Sequence, residues 1–421
     1  MNDFGSFSRA HSNNSRRIIV FFGVCLIFFI FYFTIDSLGT SPAYDYHPSR
    51  VSIPDVDYQA ANGNQVQNGV DGSHIGQKKV DRPLTIQEAP KILIWTGLYQ
   101  DPTWEHSVEK LLPCGCFVTR KRTYLNEAKI IIFHWRNLQV NDLPVKRSDQ
   151  KWIWLHTESP HHTWRSNVMS SLQSKFDCWA TYRQDSDFYI PYGVIEPRDS
   201  FNASMDSNLI STKLESKPKS IAWMVSNCKA PSGRDDYVKQ LSNHIAVDIY
   251  GACGKLKCSF FSDFRSQGCW QKMANEYKFY LSFENSICTD YFTEKVVNIM
   301  SYNIIPIVFG GAQYSSVLPN HSFINALDYK SPKELASYLN YLSSNETAYN
   351  EYFDWKKSYH VKLMIPDRYD DIFCQIFTGL TGPEPKQCKG TNGENLVKWW
   401  FGGGHCKKWR PNIGLVKHEV Y

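Results

Sequence analysis

One short segment places side chains suited to binding a charged ligand between two apolar runs. The strand-like run FYLSF at 279–283 is followed directly by an acid and Asn285, and a second apolar run begins after Tyr291, Glu294 and Lys295. A helix N-terminus offers unpaired N–H groups and partial positive charge, which favour phosphate. A lysine is mildly unfavourable there, so its position predicts an anion nearby. The pattern is typical of a nucleotide-diphosphate site, although other ligands satisfy it.

A second candidate for chemistry is the carboxylate of Glu158, which ends the apolar run KWIWLHTE at 151–158. A carboxylate at the end of a strand can serve as a general base, although an exposed loop acid is the commoner interpretation of the residues alone. His161 and His162 follow after Ser159 and Pro160. Since no acidic cluster accompanies them, we expect them to face substrate or solvent and predict no metal site.

Parallel sheets are the elements that would position these groups. Strand-like runs occur at 91–97, 129–135, 151–158 and 177–182, and again, after a Ser-, Asn- and Lys-rich stretch at 199–219, at 220–226, 247–251, 279–283 and 304–311. Helices are expected at 233–243, 269–277 and 293–302, with two more within 331–359. This alternation predicts doubly wound α/β domains, in which ligands bind beyond the carboxyl ends of the strands.

Length and composition favour a two-domain globular protein. The chain has 421 residues, more than one hydrophobic core usually organises. Its net charge of +5 comes from interspersed acids and bases. Because nucleic-acid binding needs a clustered basic face, we expect no nucleic-acid partner.

The N-terminus predicts a membrane anchor. Residues 18–35 carry no charge, and as a helix they would span roughly 27 Å, close to the hydrocarbon thickness of a bilayer. Arg9, Arg16 and Arg17 precede this run and Asp36 follows it, so the positive-inside rule keeps the N-terminus cytosolic. A cleaved signal peptide is the alternative, but no small-x-small site closes the run. Residues 36–90, poor in large apolar side chains, are expected to form a flexible stem.

The cysteines agree with a secretory compartment. Of 12 cysteines, Cys25 lies in the predicted span, which leaves an odd number for an oxidising lumen, so at least one is free or paired between chains. Cys114 and Cys116 are predicted to be disulfide-bonded rather than metal ligands. Pairing is also expected within two clusters, Cys253/Cys258/Cys269 and Cys374/Cys388/Cys406. Predicted glycan acceptors are Asn202, Asn320 and Asn345.

The segment FYLSFENSICTDYFTEKVVN resembles the signature of the α1,3/4-fucosyltransferases, inverting glycosyltransferases that use GDP-fucose. The resemblance continues in IPIVFGGAQY, FINALDYKSPKELASYLNYL and YFDWK, and upstream in ESPHHT, SDFYIPYG, WMVSNC and GRDDYVKQLSNHIAVDIYGACG. It covers most of residues 91–377 and implies a GT-B fold, with two Rossmann-like domains facing a cleft. Residues 91–205 would form the acceptor side and 220–377 the GDP-fucose side, followed by a Cys-containing tail at 378–421. The resemblance also implies a Golgi type II membrane protein with its cytosolic tail at 1–17.

The resemblance assigns roles by position. The donor-site positions of the family correspond to Ser226, Asn227, Arg234, Asn285, Tyr291, Glu294 and Lys295. Arg234 falls on the arginine that grips the diphosphate, and Glu158 falls on the glutamate assigned as base. His161 stands where the family commonly has serine, which leaves the acceptor fit open.

The expected reaction is transfer of L-fucose from GDP-β-L-fucose, with inversion, to O3 of an N-acetylglucosamine in a glycan. Glu158 would take the proton, while Arg234 and Lys295 would hold the leaving diphosphate. No metal is required by this scheme, and stimulation by a divalent cation stays open. One alternative acceptor is the innermost N-acetylglucosamine of N-glycans, and another sugar nucleotide is an alternative donor. A different class of protein, a catalytically silent Golgi glycan-binding protein, is a further alternative.

Overall fold

The computed structural model describes residues 84–97, 108–164, 166–200, 210–258, 267–363 and 369–418. These residues all fall within one compact unit, Val80–Tyr421. The predicted span at 18–35, most of the predicted stem and the sequon at Asn202 lie outside the described ranges. Inside those ranges, no helix combines the length and apolar character that crossing a bilayer requires.

The first sheet has seven strands in the order β2-β3-β1-β4-β5-β6-β7. Its strands are β1 (Lys91–Ile94), β2 (Lys110–Leu111), β3 (Phe117–Thr119), β4 (Ile130–His134), β5 (Lys151–His156), β6 (Cys178–Thr181) and β7 (Phe188–Tyr189). All neighbours are parallel except the short β2, which is antiparallel to β3. The longer strands coincide with the predicted apolar runs.

Both faces of this sheet are covered, which explains why its strands are apolar throughout rather than alternating. One face carries Ile92, Ile94, Ile130, Ile132, Ile153 and Leu155. The opposite face carries Leu93, Ile131, Phe133, Trp152 and Trp154, and it packs against helix α1 (Ser166–Leu172). Each fully buried aromatic or aliphatic side chain contributes about 1.5–3 kcal/mol of transfer free energy.

The second sheet has five parallel strands in the order β10-β9-β11-β12-β13. Following the short β8 (Gly193–Pro197), these are β9 (Lys219–Met224), β10 (Val247–Tyr250), β11 (Tyr277–Phe283), β12 (Ile305–Phe309) and β13 (Ile324–Asn325). The helices are α2 (Arg234–Leu241), α3 (Gln267–Glu276), α4 (Glu294–Met300), α5 (Tyr314–Val317), α6 (Pro332–Ser344) and α7 (Glu346–Asn350), with a 3₁₀ helix at Glu351–Lys357. Core clusters lie on both faces of the sheet. The α/β class with two mainly parallel sheets is therefore confirmed.

The chain returns to the first sheet near its C-terminus. Strand β14 (Tyr359–Leu363) pairs antiparallel with β8, and helix α8 (Tyr369–Thr381) packs its apolar side on the face that carries Ile92. The expected domain boundary at 377 falls inside α8, a helix whose core contacts belong to the first sheet. A hairpin of β15 (Lys407–Arg410) and β16 (Gly414–Lys417) follows.

Five disulfides join cysteines that are mostly far apart in sequence: Cys114–Cys374, Cys178–Cys388, Cys228–Cys253, Cys258–Cys269 and Cys288–Cys406. The expected pairing holds for Cys258 with Cys269. It is wrong for Cys374, Cys388 and Cys406, because the chain return places each of them beside a cysteine of an earlier segment. Cys114 is bonded as predicted, whereas Cys116 is the free thiol that the odd count required.

Burial of Cys116 leads to a labelling prediction. Its side chain is inaccessible, and burial raises the pKa of its thiol to about 11, so little thiolate forms near neutral pH. We expect iodoacetamide at pH 8 to modify Cys116 only after denaturation, as measured by peptide mass mapping. Modification of the native protein at the rate of a solvent-exposed thiol would contradict this burial.

Candidate active site

The carboxyl ends of the two sheets meet at one cleft, of about 410 Å³. Glu158 follows β5, Ser226 and Asn227 follow β9, and Asn285 follows β11, as expected for ligand sites in doubly wound sheets. The complete predicted set lines this cleft: Glu158, Ser226, Asn227, Arg234, Asn285, Tyr291, Glu294 and Lys295. The structure therefore brings together every predicted donor-site residue and the predicted base.

Glu158 is held by one residue from each half of the fold. Its Oε1 accepts a hydrogen bond of 3.0 Å from the Arg136 guanidinium, and its Oε2 accepts one of 3.4 Å from the Tyr291 hydroxyl. Burial raises the pKa of Glu158, an effect that outweighs the opposing charges of Arg136 and Lys295. When ionised, a carboxylate with a raised pKa is a stronger base than an exposed one.

Lys295 belongs to a partly buried charge cluster at the start of α4. Its Nζ lies 3.0 Å from Glu284 Oε2, 2.7 Å from Thr293 Oγ1 and 3.2 Å from Glu294 Oε1. Glu284 is fully buried, and its Oε1 accepts hydrogen bonds from the backbone N–H and hydroxyl of Thr293. The position of Lys295 predicted a nearby anion. The protein itself supplies part of that negative charge, because two carboxylates already face the Lys295 ammonium group.

The charges in this cluster stabilise one another. Burial alone would lower the pKa of Lys295, but Glu284 and Glu294 raise it above its ordinary value. Burial alone would also raise the pKa of Glu294, yet the Lys295 ammonium lowers it. Lys295 therefore stays protonated at the cleft over the physiological range.

Arg234, the first residue of α2, is fixed by backbone oxygens. Its two terminal nitrogens donate to Phe283 O at 2.6 Å and to Asn227 O at 2.8 Å, and its side chain is almost fully buried. Its Nε finds no hydrogen-bond partner among the described residues. A buried guanidinium anchored on one edge, with a donor left over at a cleft, is suited to an anionic ligand.

Asn285 presents a second unsatisfied group at the same cleft. Within the described part of the chain, its buried Oδ1 has no partner. Its backbone oxygen accepts a hydrogen bond from Ser232 N, which precedes α2. The backbone of Asn285 is therefore fixed while its side-chain oxygen is available to a ligand.

The loop that follows Glu158 and the segment that follows β11 are connected directly. Ser159, next to the predicted base, donates a buried hydrogen bond of 2.7 Å to the hydroxyl of Ser286. The C-terminal hairpin reinforces this connection, because Lys407 N donates to Ile287 O and Trp409 N donates to Ser232 O. A Cβ on Gly233, whose φ is +78°, would lie 2.1 Å from the oxygen of Trp409, so this close approach requires glycine.

One His/Cys group among the described residues has the spacing of metal ligands. Candidate ligand atoms of His161, Cys288 and Cys406 lie within 4.8 Å of one another. The two cysteines form a disulfide, and metals bind thiolates, so these sulfurs cannot act as thiolate ligands. His161 instead contacts His418, with 2.8 Å between Nε2 and Nδ1.

Two charged residues of the site were not predicted from the sequence. Arg136 lies two residues beyond β4, as Glu158 lies two residues beyond the neighbouring parallel strand β5, so the shared edge of the sheet was a usable signal. Glu284 directly follows β11 and is buried beneath Lys295. The cleft is further lined by Tyr192, Met224, Val225, Trp270 and Tyr280.

This arrangement can support proton removal at one side and anion stabilisation at the other. Glu158 supplies a hydrogen-bonded carboxylate, while Arg234 and Lys295 supply cations on the wall built by the second sheet. Groups fixed before a reaction act strongly on charge that develops in a partly buried cleft. Displacement of a charged leaving group by a hydroxyl is the reaction class that needs both.

Comparison with known proteins identifies the family. The family model "Glycosyltransferase family 10 (fucosyltransferase) C-term" matches residues 214–396, and "Fucosyltransferase, N-terminal" matches residues 87–193. The chain is 34% identical to 4-galactosyl-N-acetylglucosaminide 3-alpha-L-fucosyltransferase FUT6 of Pongo pygmaeus, over 64% of this chain and 73% of that protein. It is also 34% identical to Glycoprotein 3-alpha-L-fucosyltransferase A of Drosophila melanogaster, over 70% of this chain and 56% of that protein.

A crystal structure of an α1,3-fucosyltransferase is similar over 72% of this chain and 94% of the other, with a TM-score of 0.46 and 15% identity. The two family models cover the segments that build both sheets and the cleft between them. The chain accordingly belongs to glycosyltransferase family 10, the fucosyltransferases, and is a glycosyltransferase.

Proposed function

We propose that this enzyme transfers L-fucose from GDP-β-L-fucose, with inversion, to O3 of an N-acetylglucosamine in a glycoprotein or glycolipid glycan. The observation that carries the proposal is the single cleft that Glu158 shares with Arg234 and Lys295. Membership of the fucosyltransferase family supports the transferred sugar. We also propose that the protein is held in the Golgi membrane by residues 18–35 and that Asn202, Asn320 and Asn345 are its glycan acceptors. Its two main domains would be 91–205 and 220–377, apart from α8, which packs on the first sheet.

The proposed step is one displacement. Glu158 takes the proton of the acceptor hydroxyl while O3 forms a bond to C1 of fucose. The bond from C1 to the β-phosphate oxygen breaks, and its electron pair leaves with GDP. Arg234 and Lys295 stabilise the charge that gathers on the diphosphate, while Asn285, Tyr291 and Glu294 position the sugar nucleotide beside Ser226 and Asn227. Attack opposite the leaving group inverts the anomeric carbon, and no step is assigned to a metal.

The acceptor is tested with defined glycans. We expect the purified protein to transfer label from GDP-[¹⁴C]fucose to glycans that contain N-acetylglucosamine, with an α1,3 linkage by NMR. The two relatives of equal identity carry different acceptors in their names, so the panel should include N-acetyllactosamine and the chitobiose core of N-glycans. Transfer to neither, or transfer from a different sugar nucleotide with GDP-fucose inert, would overturn the proposal.

The raised pKa of Glu158 predicts the acid limb of the pH profile. Since the base works when ionised, kcat/KM should fall as pH drops through the pKa of Glu158, which lies above the ordinary glutamate value of 4.5. The Arg136 charge lowers this pKa, so Arg136→Gln should move the limb to higher pH. The exposed Arg120→Gln serves as the control. A limb that stays in place or moves to lower pH in Arg136→Gln would show that Glu158 is not the titrating base.

A further inference from the structure

A second, smaller cavity lies beside the predicted base. It has a volume of about 80 Å³ and is lined by Trp135, Arg136, His156, His162 and Trp164. One water molecule needs only about 10–15 Å³ of such a cavity, so the cavity can hold a group of several non-hydrogen atoms. It is too small for a sugar ring and its substituents.

Arg136 connects this cavity to the site of chemistry. Its guanidinium lines the cavity, donates to Glu158 at 3.0 Å and lies over the Trp164 ring at 5.0 Å from the centroid. A group bound in the cavity is therefore adjacent to whatever hydroxyl Glu158 deprotonates. On N-acetylglucosamine, the substituent next to O3 is the 2-acetamido group.

The apolar part of the cavity suits a methyl group. Trp164 is 63% exposed, the most exposed tryptophan among the described residues, and the neighbouring Trp135 is almost fully buried. Trp135 Nε1 donates to Trp164 O at 3.1 Å, which fixes the backbone of Trp164 against it. An exposed indole held beside a catalytic carboxylate offers an apolar face for a ligand.

The polar part suits an amide. His156 Nε2 lies 2.8 Å from Thr163 Oγ1, and that hydroxyl already donates to Ser159 O and accepts from Trp400 Nε1. His156 must therefore donate through Nε2, which leaves Nδ1 as an acceptor. Neither His156 Nδ1 nor His162 Nε2 has a hydrogen-bond partner among the described residues. Burial lowers the pKa of His162 to about 4, so this ring is neutral and can donate to a carbonyl through Nε2.

We propose that this cavity binds the 2-acetamido group of the acceptor, with its methyl against Trp164, its N–H directed to His156 and its carbonyl to His162. The inference rests on the proposed function and deepens it, because it makes these residues the determinants that distinguish N-acetylglucosamine from glucose. A sugar with a hydroxyl at C2 would leave two buried ring nitrogens unpaired and the indole face uncovered.

A binding experiment tests the acetamido site without requiring transfer of fucose. In saturation-transfer NMR with GDP present, methyl N-acetyl-β-D-glucosaminide should show its strongest saturation at the acetyl methyl. Trp164→Ala should lower that signal by about threefold or more, as expected when an aromatic contact is lost, whereas Trp164→Phe should retain it. Tyr341→Ala removes a similarly exposed aromatic, 52% accessible, from α6 and should change nothing. Equal saturation in Trp164→Ala and wild type, or acetyl saturation no greater than that of the ring protons, would overturn the inference.

Kinetics then separate this inference from the proposed function. Wild-type enzyme should prefer Galβ1,4GlcNAc to Galβ1,4Glc by about tenfold or more in kcat/KM. Trp164→Ala and His162→Phe should reduce that preference to near unity while leaving KM for GDP-fucose unchanged. A preference that survives both variants rejects the cavity as the acetamido site. Absence of transfer to both of these acceptors and to the chitobiose core of N-glycans rejects the proposed function, and the binding experiment still decides the cavity.

Discussion

Replacing Glu158 with glutamine is expected to lower kcat for fucosyl transfer by about 10²–10⁴, the usual contribution of a positioned base. Glutamine keeps the size of the side chain and can still accept from Arg136, but it cannot take the proton of the acceptor. Because Glu158 lies across the cleft from the cations, the Kd for GDP should stay within about twofold. Single-turnover transfer assays and calorimetry of GDP binding measure the two quantities.

The control for this prediction is Glu127→Gln, since the Glu127 side chain is 55% exposed and pairs with Lys91 away from the cleft. It should retain wild-type transfer. Near-normal turnover in Glu158→Gln would mean that another group takes the proton, and loss of GDP binding in that variant would mean that the substitution disturbs the donor side.

Replacing Lys295 with methionine should affect both stability and activity. Glu284 is fully buried and pairs with Lys295 at 3.0 Å, so losing the ammonium leaves a buried carboxylate without its charged partner. That loss should lower the free energy of unfolding by about 3–5 kcal/mol. Transfer should fall by about 10²–10³, because a preorganised cation at the leaving group is also lost.

The double variant Glu284→Gln/Lys295→Met separates the two effects. Removing both charges should restore most of the stability, as measured by denaturant unfolding, but should not restore transfer. Recovery of transfer in the double variant would show that Lys295 serves only to neutralise Glu284. Lys219→Met provides the matched control, because its pair with Glu276 lies at the surface and should contribute less than about 1 kcal/mol.

Local structure was largely predictable from the sequence. The run FYLSF, buried throughout, forms the last five residues of β11, and α4 begins at Glu294, one residue after the expected start at 293. Ser331 caps α6 through its side chain, which accepts from Glu334 N, and Pro332 occupies the first turn. These features depend on residues close in sequence, whose propensities and hydrogen bonds act within one turn or strand.

The arrangement of the cleft was predictable in outline but not in its internal charge balance. Parallel strands place their carboxyl ends at one edge of each sheet, and the family resemblance implied that the two sheets face a common cleft, which is why Glu158 and Asn285 could be assigned to it. No local pattern shows that Glu284 lies buried beneath Lys295, and the shared sheet edge places Arg136 near Glu158 without showing the hydrogen bond between them. Both contacts arise only when neighbouring strands and the following helix have packed.

The disulfide pairing was even less predictable from the sequence than the contacts in the cleft. Cys114 and Cys374 are separated by 260 residues, and Cys288 and Cys406 by 118. Proximity in sequence suggested other partners. The observed pairs depend on the return of α8 to the first sheet and on the β15–β16 hairpin, which lies against the segment after β11. Both are properties of the whole fold.

The most direct measurement is an experimental structure of the protein with GDP and an acceptor bound. We expect the diphosphate oxygens to lie within about 2.7–3.2 Å of donors on Arg234 and Lys295, with the acceptor O3 at hydrogen-bond distance from Glu158 on the facing wall. GDP bound away from both cations, or an acceptor hydroxyl facing a residue other than Glu158, would contradict it.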